Sequence, residues 1–422
     1  MLKKLTVILL LLSMCLGLMR NGEAKSLRMN DTEKYKNMIT AARETIWKAL
    51  TDGHGSCATV AVMDAGRLVY SECMGPAERA SNRPVDKNTR FNIGSTSKMF
   101  VAVAILLLVD DGRIALDEPI IKYVPDFKMK DERYRDITVR MIFDHSSGLP
   151  GSTFFFSYEP DAGMHKMLLE EMRDASLKHK PGAMSMYCND GFTLGEMIVE
   201  RVSGKKYIDF LDERVFKPLG MKNTGASIGE AGGKNIAEYY DLKTGKKYPP
   251  EVVAVYACGG LSSTAEDLCK FGDSFNPNGH KILSDQSLAE IRRSRPLPFY
   301  NDFKARPMMS YFGWEYSNLA EYEAKGIQVL GKGGNTACYS TNLQIVPYRG
   351  ISIGLIVNSH ASGEALTRPI LDGLMKDRGM LMPKDAVKRP VEPQVIPEEL
   401  LKFAGVYVKD AEPFKIEFNK DK

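Results

Sequence analysis

Ser95 and Lys98 combine a potential nucleophile with a potential base in the segment NIGSTSK, residues 92–98. A serine hydroxyl becomes a strong nucleophile when a neighbouring group removes its proton, and a lysine amine with a lowered pKa can do so. A spacing of three places both side chains on one face of a helical turn. The pair predicts acyl transfer through Ser95. Taken alone, however, this motif is more often a helix-capping serine beside a solvated lysine, and chance supplies a second copy at Ser203 and Lys206.

Two later segments carry groups that could assist the same reaction. Tyr187-Cys188-Asn189 precedes a helix-like stretch; a tyrosine beside a lysine can relay a proton, and an asparagine amide can hold both the lysine and a substrate carbonyl. Lys332-Gly333-Gly334 begins a predicted strand, where glycines let a substrate backbone approach the strand edge. Either segment alone could be an ordinary loop tyrosine or a glycine-rich turn.

Other motifs fit competing chemistries less well. Residues 225–229 match the G-x-S-x-G nucleophile elbow, but polar and glycine-rich flanks predict a loop there rather than a strand, turn and helix. His145 invites comparison with a Ser-His-Asp triad, yet we expect it to belong to a structural loop. The phenylalanines at 154–156 could line a pocket or belong to the core. The histidines and cysteines show no metal-site spacing, so we expect neither a metal nor a cofactor.

The elements that must position these groups are strands near both ends of the chain and helices between them. Strands are predicted at 56–63, 67–74, 311–316, 326–331, 337–346 and 351–358, and helices at 32–52, 95–110, 164–178, 191–203, 206–214, 264–275, 285–293 and 361–378. The predicted fold is α/β (α+β), with an antiparallel sheet flanked by helices and assembled from both ends of the chain, and with an inserted, mostly helical domain.

The predicted domains follow from this arrangement. Residues 30–120 and 305–380 form the α/β domain, 121–304 the inserted helical domain, and 381–422 a proline-containing linker with the possible start of a C-terminal β accessory domain. A cleft between the first two is the expected place for a site. Within the first hairpin, a three-residue turn at 64–66 would set Cys57 opposite Cys73, which predicts a disulfide or else two free, half-buried thiols.

Composition and the N-terminus restrict the class of protein. The 422 residues carry a formal net charge of +4 without a Lys/Arg-rich block, so nucleic acid is not an expected partner. Lys3 and Lys4, an apolar run over 5–18 and small residues before position 25 predict a signal peptide, 1–24, and export to the periplasm, cell surface or exterior. Bulky Met14 argues against a lipid anchor at Cys15. No later apolar run is long enough to span a membrane.

In their order along the chain, the three segments resemble the active-site motifs of the serine β-lactamase and penicillin-binding-protein superfamily. The nearest branch is that of class C β-lactamases, D-alanyl-D-alanine carboxypeptidases and esterases. The resemblance covers roughly residues 35–380. Supporting segments lie at 111–117, 145–151, 202–204, 218–221 and 259–264.

The resemblance implies a role for each motif residue and requires no metal or organic cofactor. Ser95 would be the acylated nucleophile, Lys98 and Tyr187 a proton-shuttling pair, and Asn189 an anchor for substrate and for Lys98. In the third motif, Lys332 would meet a substrate carboxylate and keep Tyr187 acidic, and Gly333 and Gly334 would line the substrate. The backbone N–H groups of Ser95 and Asn335 would form the oxyanion hole.

Two departures bear on the substrate. Gly333 stands where true β-lactamases commonly have Thr or Ser, and Lys332 where many esterase- and peptidase-like relatives have His. We therefore expect an exported serine hydrolase that acts through a Ser95 acyl-enzyme on amide or ester bonds, first of all in D-amino-acid peptides or related carboxylate-bearing small molecules. The alternatives are an esterase or β-lactamase of the same family, or a non-hydrolysing penicillin-binding sensor or scaffold; the oligomeric state is left open.

Overall fold

The computed structural model describes most of the chain between residues 29 and 380 and a short hairpin beyond it. The described residues are 29–51, 55–152, 163–231, 235–241, 244–293, 311–317, 320–359, 363–380, 402, 405–409 and 412–416. The predicted signal peptide, the phenylalanines at 154–156 and the proline-containing linker lie outside these ranges.

The strands are two to eight residues long. They are β1 Ala58–Asp64, β2 Arg67–Met74, β3 Pro76–Glu78, β4 Arg83–Pro84, β5 Phe91–Asn92, β6 Gly225–Ala226, β7 Leu261–Ser263, β8 Tyr316–Ser317, β9 Leu330–Asn335, β10 Ser340–Val346, β11 Ile351–Val357, β12 Gly405–Lys409 and β13 Glu412–Ile416.

The α-helices lie mostly between β5 and β8 and near both ends of the chain. They are α1 Met29–Lys34, α2 Lys36–Ala49, α3 Lys98–Asp110, α4 Val139–Phe143, α5 Met164–Arg173, α6 Asp190–Ser203, α7 Tyr207–Leu211, α8 Lys217–Leu219, α9 Ile228–Ala231, α10 Ala265–Asp273, α11 Asp285–Arg292, α12 Ala320–Glu323 and α13 Gly363–Asp377. Among the described residues, no helix has the length and apolarity that crossing a membrane requires.

A six-stranded antiparallel sheet joins the two ends of the chain. Its strand order is β2-β1-β11-β10-β9-β8, so β1 from the N-terminal part pairs with β11 from the C-terminal part. β1, β10 and β11 are buried at every position, as expected for strands that are covered on both faces. This arrangement confirms the predicted fold class; the domain boundaries given above stay predictions.

Helices cover both faces of the sheet. On one face, α2 and α13 bury an apolar cluster that includes Met38, Ile46, Leu371 and strand residues such as Val60. On the other face, α10 packs on β1 and β11, and a larger cluster surrounds the apolar helix α3. α3 is buried from Lys98 to Leu108, and it ends at Asp110 before Gly112, which takes the left-handed conformation expected of a helix stop.

The register of the first hairpin differs from the prediction. The turn contains two residues, Ala65 and Gly66, both with positive φ, and a bulge follows between Val62 and Met63. This type of turn matches the twist of the paired strands. Because the loop is one residue shorter and the bulge shifts the pairing, Cys73 lies opposite Thr59 rather than Cys57. Both cysteines are free thiols, so the predicted disulfide is wrong.

Two strand predictions near the third motif also need correction. Residues 311–315 form bends rather than a strand, with Gly313 at positive φ and with Tyr311, Phe312 and Trp314 buried in the core; the β-strand is limited to β8. The following strand begins at Leu330 rather than at 326, so Lys332-Gly333-Gly334 lies inside β9.

Candidate functional site

Ser95 lies on a tight helical turn that leads into α3. Residues Gly94–Ser97 form a 3-10 turn, and the α-helix begins at Lys98. In a 3-10 turn, residues three apart are nearly eclipsed, which brings their side chains together. The Lys98 Nζ accordingly lies 2.9 Å from the Ser95 Oγ. The predicted helix therefore starts with a different type of turn, and this turn sets the spacing of the pair.

Tyr187 reaches the same hydroxyl from the other side. Its phenol oxygen is 2.7 Å from the Ser95 Oγ, and either oxygen could donate the hydrogen bond. Tyr187 stands two residues before Asn189, the residue that directly precedes α6, and α6 packs against α3 in the core. Three separate side chains of the predicted set, an alcohol, an amine and a phenol, thus share one hydrogen-bonded centre.

Lys98 is wholly buried, and this burial changes its acidity. Removal of the ammonium from water lowers the pKa of Lys98 to about 7, and the nearby charge of Lys332 acts in the same direction. The Nζ also donates a hydrogen bond of 2.6 Å to the carbonyl of Cys258. A large fraction of Lys98 is therefore neutral near pH 7, as a base for Ser95 must be.

A π-helical turn at Tyr256–Gly260 supplies the carbonyl that holds Lys98. The turn is fixed from α6, because the buried carboxylate of Glu196 accepts a hydrogen bond of 2.7 Å from the Ala257 N–H. The other carboxylate oxygen is 3.1 Å from His165 Nε2, and this contact raises the pKa of His165 against the opposing effect of burial. The buried Glu196 is therefore linked to the Lys98 amine through the backbone of Ala257 and Cys258.

Strand β9 packs directly on the turn that carries Ser95. A Cβ atom on Gly334 would lie 2.0 Å from the Ile93 carbonyl oxygen, and a Cβ atom on Gly94 would lie 2.6 Å from the Asn335 nitrogen. Neither position leaves space for a side chain. The two glycines thereby let the backbone around Ser95 and Asn335 adjoin, which is the placement that an oxyanion hole from these two N–H groups needs.

Lys332 forms an ion pair inside the site. Its fully buried ammonium contacts the Glu315 Oε1, and the Glu315 Oε2 accepts a hydrogen bond of 3.3 Å from the Gly333 N–H. Burial lowers the pKa of Lys332, while Glu315 opposes this shift. The third motif therefore presents a compensated charge rather than a free cation.

Tyr187 is not made acidic by Lys332, contrary to the expectation. Burial raises the pKa of Tyr187 well above its usual value, and the negative charge of Glu315 adds to this effect. The ammonium of Lys332 lies 5.4 Å from the centre of the Tyr187 ring, but its charge is matched by Glu315. Tyr187 is therefore a neutral phenol at neutral pH, suited to donating a proton.

Asn189 occupies a different position from the predicted one. Its Nδ2 donates a hydrogen bond of 2.6 Å to the Ser152 Oγ on the preceding loop. Within the described residues, Lys98 is held by Ser95 and by the carbonyl of Cys258, so Asn189 is not its anchor. A backbone carbonyl, which carries no sequence signal, holds Lys98 instead, while the predicted contact of Asn189 with substrate stays a prediction.

His145 supports the site without entering the reacting centre. Its ring stacks on Tyr187 with 4.7 Å between ring centres, and its Nδ1 accepts a hydrogen bond of 3.0 Å from the Cys188 N–H. Burial lowers the pKa of His145 far enough to keep it neutral. This agrees with the structural role expected for its loop. The alternative nucleophile Ser227 is buried and donates to the Glu251 carbonyl.

Sequence reasoning missed Glu315 and Glu196. Glu315 follows the buried Trp314 in a segment that was read as a strand, and a single acidic residue there carries no pattern. Glu196 faces the core from α6, where a carboxylate breaks the apolar side of the helix; this break was the available signal. In the described part of the chain, no group of three or more His, Cys, Asp and Glu side chains has the arrangement of a metal site.

Comparison with known proteins places the chain among relatives of similar architecture. The family model described as Beta-lactamase matches residues 41–374. Penicillin-binding protein 4* of Bacillus subtilis (strain 168) is 29% identical over 318 residues, which cover 71% of this chain and 67% of that protein. Penicillin-binding protein 4 of Amycolatopsis lactamdurans is 25% identical over 372 residues, which cover 85% of this chain and 95% of that protein.

Solved structures show the same fold at lower sequence identity. An octameric penicillin-binding protein homologue from Pyrococcus abyssi superposes with a TM-score of 0.67 at 23% identity, covering 91% of this chain and 86% of its own. A β-lactamase/D-alanine carboxypeptidase from Pseudomonas syringae gives a TM-score of 0.66 at 19% identity, covering 79% of this chain and 98% of its own. These structures confirm the predicted fold, and the family model over residues 41–374 confirms the family resemblance.

Proposed function

Because the chain belongs to the β-lactamase family, we propose that it is an exported serine hydrolase that forms an acyl-enzyme at Ser95. One observation carries this proposal: a buried lysine with a pKa of about 7 lies 2.9 Å from a serine hydroxyl that also contacts a tyrosine. A structural serine and lysine would need neither the lowered pKa nor the phenol.

Acylation begins when neutral Lys98 takes the proton of Ser95 as its oxygen attacks the substrate carbonyl. The N–H groups of Ser95 and Asn335 stabilise the negative oxygen of the tetrahedral intermediate. Tyr187 gives its proton to the leaving amine or alkoxide and is reprotonated from Lys98. Water then attacks the ester bond, the same groups accept its proton, and Ser95 leaves with its hydrogen restored. Acylation thus releases the amine or alcohol, and deacylation releases the acid.

D-amino-acid peptides are the first substrate class in this proposal, ahead of esters and β-lactams. The names of the two relatives, both penicillin-binding proteins, support a site that accepts compounds of the β-lactam and D-peptide type. The expected preference for a carboxylate-bearing substrate is not part of this proposal, because the charge of Lys332 is paired with that of Glu315. Export is proposed from the signal-like residues 1–24, and intact mass of the secreted protein should place its N-terminus at Lys25.

Covalent labelling tests whether Ser95 is the nucleophile. Wild-type protein should be labelled by a fluorescent fluorophosphonate or penicillin, and Ser95→Ala should abolish both labelling and turnover. Ser203→Ala is the matched control, because Ser203 begins the second Ser-x-x-Lys pattern but ends α6, where its hydroxyl accepts a hydrogen bond from the Lys205 N–H. Equal labelling of wild type and Ser95→Ala would overturn the proposal. Labelling without turnover would indicate the rival function, a penicillin-binding sensor or scaffold.

A further inference from the structure

The carboxylate of Glu315 is the charged group that the Lys332 ammonium contacts. One carboxylate oxygen contacts the Lys332 ammonium and the other accepts the Gly333 N–H, so both oxygens are held on strand β9. The Glu315 side chain keeps 20% of its surface exposed, whereas that of Lys332 is completely buried. Of the two charged side chains, that of Glu315 is therefore the one that a solute can reach from solvent.

The other charged and titratable groups around this pair do not restore a positive charge. Lys98 has a pKa of about 7 and is committed to Ser95 and Cys258. The same surroundings keep His145 and Tyr187 uncharged near neutral pH. Above pH 7, where Lys98 is mostly neutral, the formal charges of Lys332 and Glu315 cancel, and an added anion would find no uncompensated cation among the described residues of the site.

Gly333 removes another means of holding an anion. A Cβ atom at this position would lie 3.5 Å from the Glu315 Oε2 and 4.0 Å from the Thr341 carbonyl, which are ordinary contact distances. Space for a side chain is therefore present, yet the residue offers no hydroxyl. Its N–H, the donor that remains, is directed to Glu315. Gly333 can therefore contact a substrate but has no hydrogen-bond donor left for a substrate carboxylate in addition to that of Glu315.

We propose that Glu315 acts as a built-in counter-ion that selects substrates whose leaving group carries no carboxylate, namely esters, amides and internal peptide bonds. The inference rests on the proposed hydrolase function and narrows its substrate class. It revises the expectation that Lys332 binds a substrate carboxylate. An anionic leaving group must either approach Glu315 at close range or displace it from a buried cation, and both are unfavourable.

A matched pair of aryl esters measures this selectivity in the wild-type protein. The phenyl ester of Nα-acetyl-D-alanine and its 3-carboxyphenyl counterpart share the acyl group and differ by one carboxylate on the leaving group. We expect kcat/KM to favour the phenyl ester by about tenfold or more after correction for the rates of spontaneous hydrolysis. Equal rates, or a preference for the 3-carboxyphenyl ester, would overturn the proposal.

Glu315→Gln assigns the selectivity to this residue. The amide keeps the size of the side chain and can still accept the Gly333 N–H, but it frees the charge of Lys332. We expect the ratio of the two kcat/KM values to shift toward the 3-carboxyphenyl ester by about tenfold. Glu118→Gln is the charge-matched control, since Glu118 pairs with Lys122 on the surface, and its ratio should equal that of wild type. An unchanged ratio in Glu315→Gln would overturn the assignment.

A readout on the wild-type protein covers the case in which Glu315→Gln does not fold. Benzamide should inhibit phenyl ester hydrolysis more strongly than benzoate, and the reverse order would contradict the proposal. Failure of the parent function is recognised separately: Ser95→Ala would then hydrolyse the phenyl ester as fast as wild type. If cleavage depends on Ser95 but the two esters react equally well, the Glu315 proposal is wrong and the hydrolase proposal still holds.

Discussion

Glu196 accepts a hydrogen bond from the backbone of Ala257, one residue before the carbonyl that holds the Lys98 amine. Removal of this acceptor would leave a buried N–H without a partner, which typically costs about 1–3 kcal/mol. We expect Glu196→Ala to lower kcat by about tenfold or more and to shift its pH dependence, because Lys98 loses its fixed position.

Glu196→Gln provides the rescue for this prediction. A glutamine oxygen can accept the Ala257 N–H, so kcat and the pH profile should return close to the wild-type values. Thermal unfolding of both variants separates positioning from folding: a loss of stability with an unmoved pH profile would mean that Glu196 is structural only.

The rate of acylation should rise with pH through about 7. The pKa of Lys98 lies at about 7, below its ordinary value of 10.5, and the neutral amine is the form that accepts the Ser95 proton. Single-turnover acylation measured against pH should therefore show a basic plateau and an acidic limb with a slope of one. Lys98→Ala should lower the rate by several orders of magnitude and abolish this limb. A rate that is independent of pH across this range would contradict Lys98 as the base.

Tyr187→Phe tests the phenol as a proton donor. The ring can still stack on His145, while the hydroxyl 2.7 Å from Ser95 is lost. We expect kcat to fall about 10²–10⁴-fold, the usual contribution of a general acid or base. Tyr207→Phe is the control, because the buried Tyr207 hydroxyl has no hydrogen-bond partner among the described residues. Full activity in Tyr187→Phe would remove the phenol from the mechanism.

The two motif glycines should differ in their tolerance of a methyl group. A Cβ on Gly334 would overlap the Ile93 carbonyl, so Gly334→Ala should lower the free energy of unfolding by about 1–3 kcal/mol or more. Gly333→Ala meets ordinary contacts and should change this free energy by no more than about 0.5 kcal/mol. Urea unfolding followed by circular dichroism compares them, and equal losses would contradict the packing described for β9.

All six cysteines after the predicted signal peptide should alkylate once the protein is denatured without reductant. In the native state the reaction should be slow, since burial raises the pKa of Cys57 and of Cys73 to about 12. Intact-mass measurement counts the added groups. Four additions instead of six would indicate one disulfide and would contradict the register of the first hairpin.

Side chains that perform chemistry were the most predictable part of the site. Ser95, Lys98 and Tyr187 are found from the sequence because few residue types can supply a nucleophile, a base and a phenol. The carbonyl of Cys258 could not be predicted, since every residue has one and only the fold selects which is used. Glu315 was missed because the buried bends before it show no regular repeat of apolar and polar residues that would indicate which side chains face the site.

The fold class could be predicted from the order of strands and helices in the sequence, whereas the pairing register of the first hairpin could not. A register depends on the number of residues in a turn and on bulges. Ala65 adopts a positive φ that alanine rarely takes, which shortens the first loop relative to the expected one. One residue of shift then changes every cross-strand neighbour, including that of Cys73.

The pairing of β1 with β11 determines when the catalytic centre can exist during synthesis. Ribosomes deliver the N-terminal hairpin long before the strand that completes its sheet, almost three hundred residues later. Until β9 arrives, the turn bearing Ser95 lacks the backbone that packs against Gly94. A growing polypeptide should therefore be catalytically silent until β9 to β11 have left the ribosome.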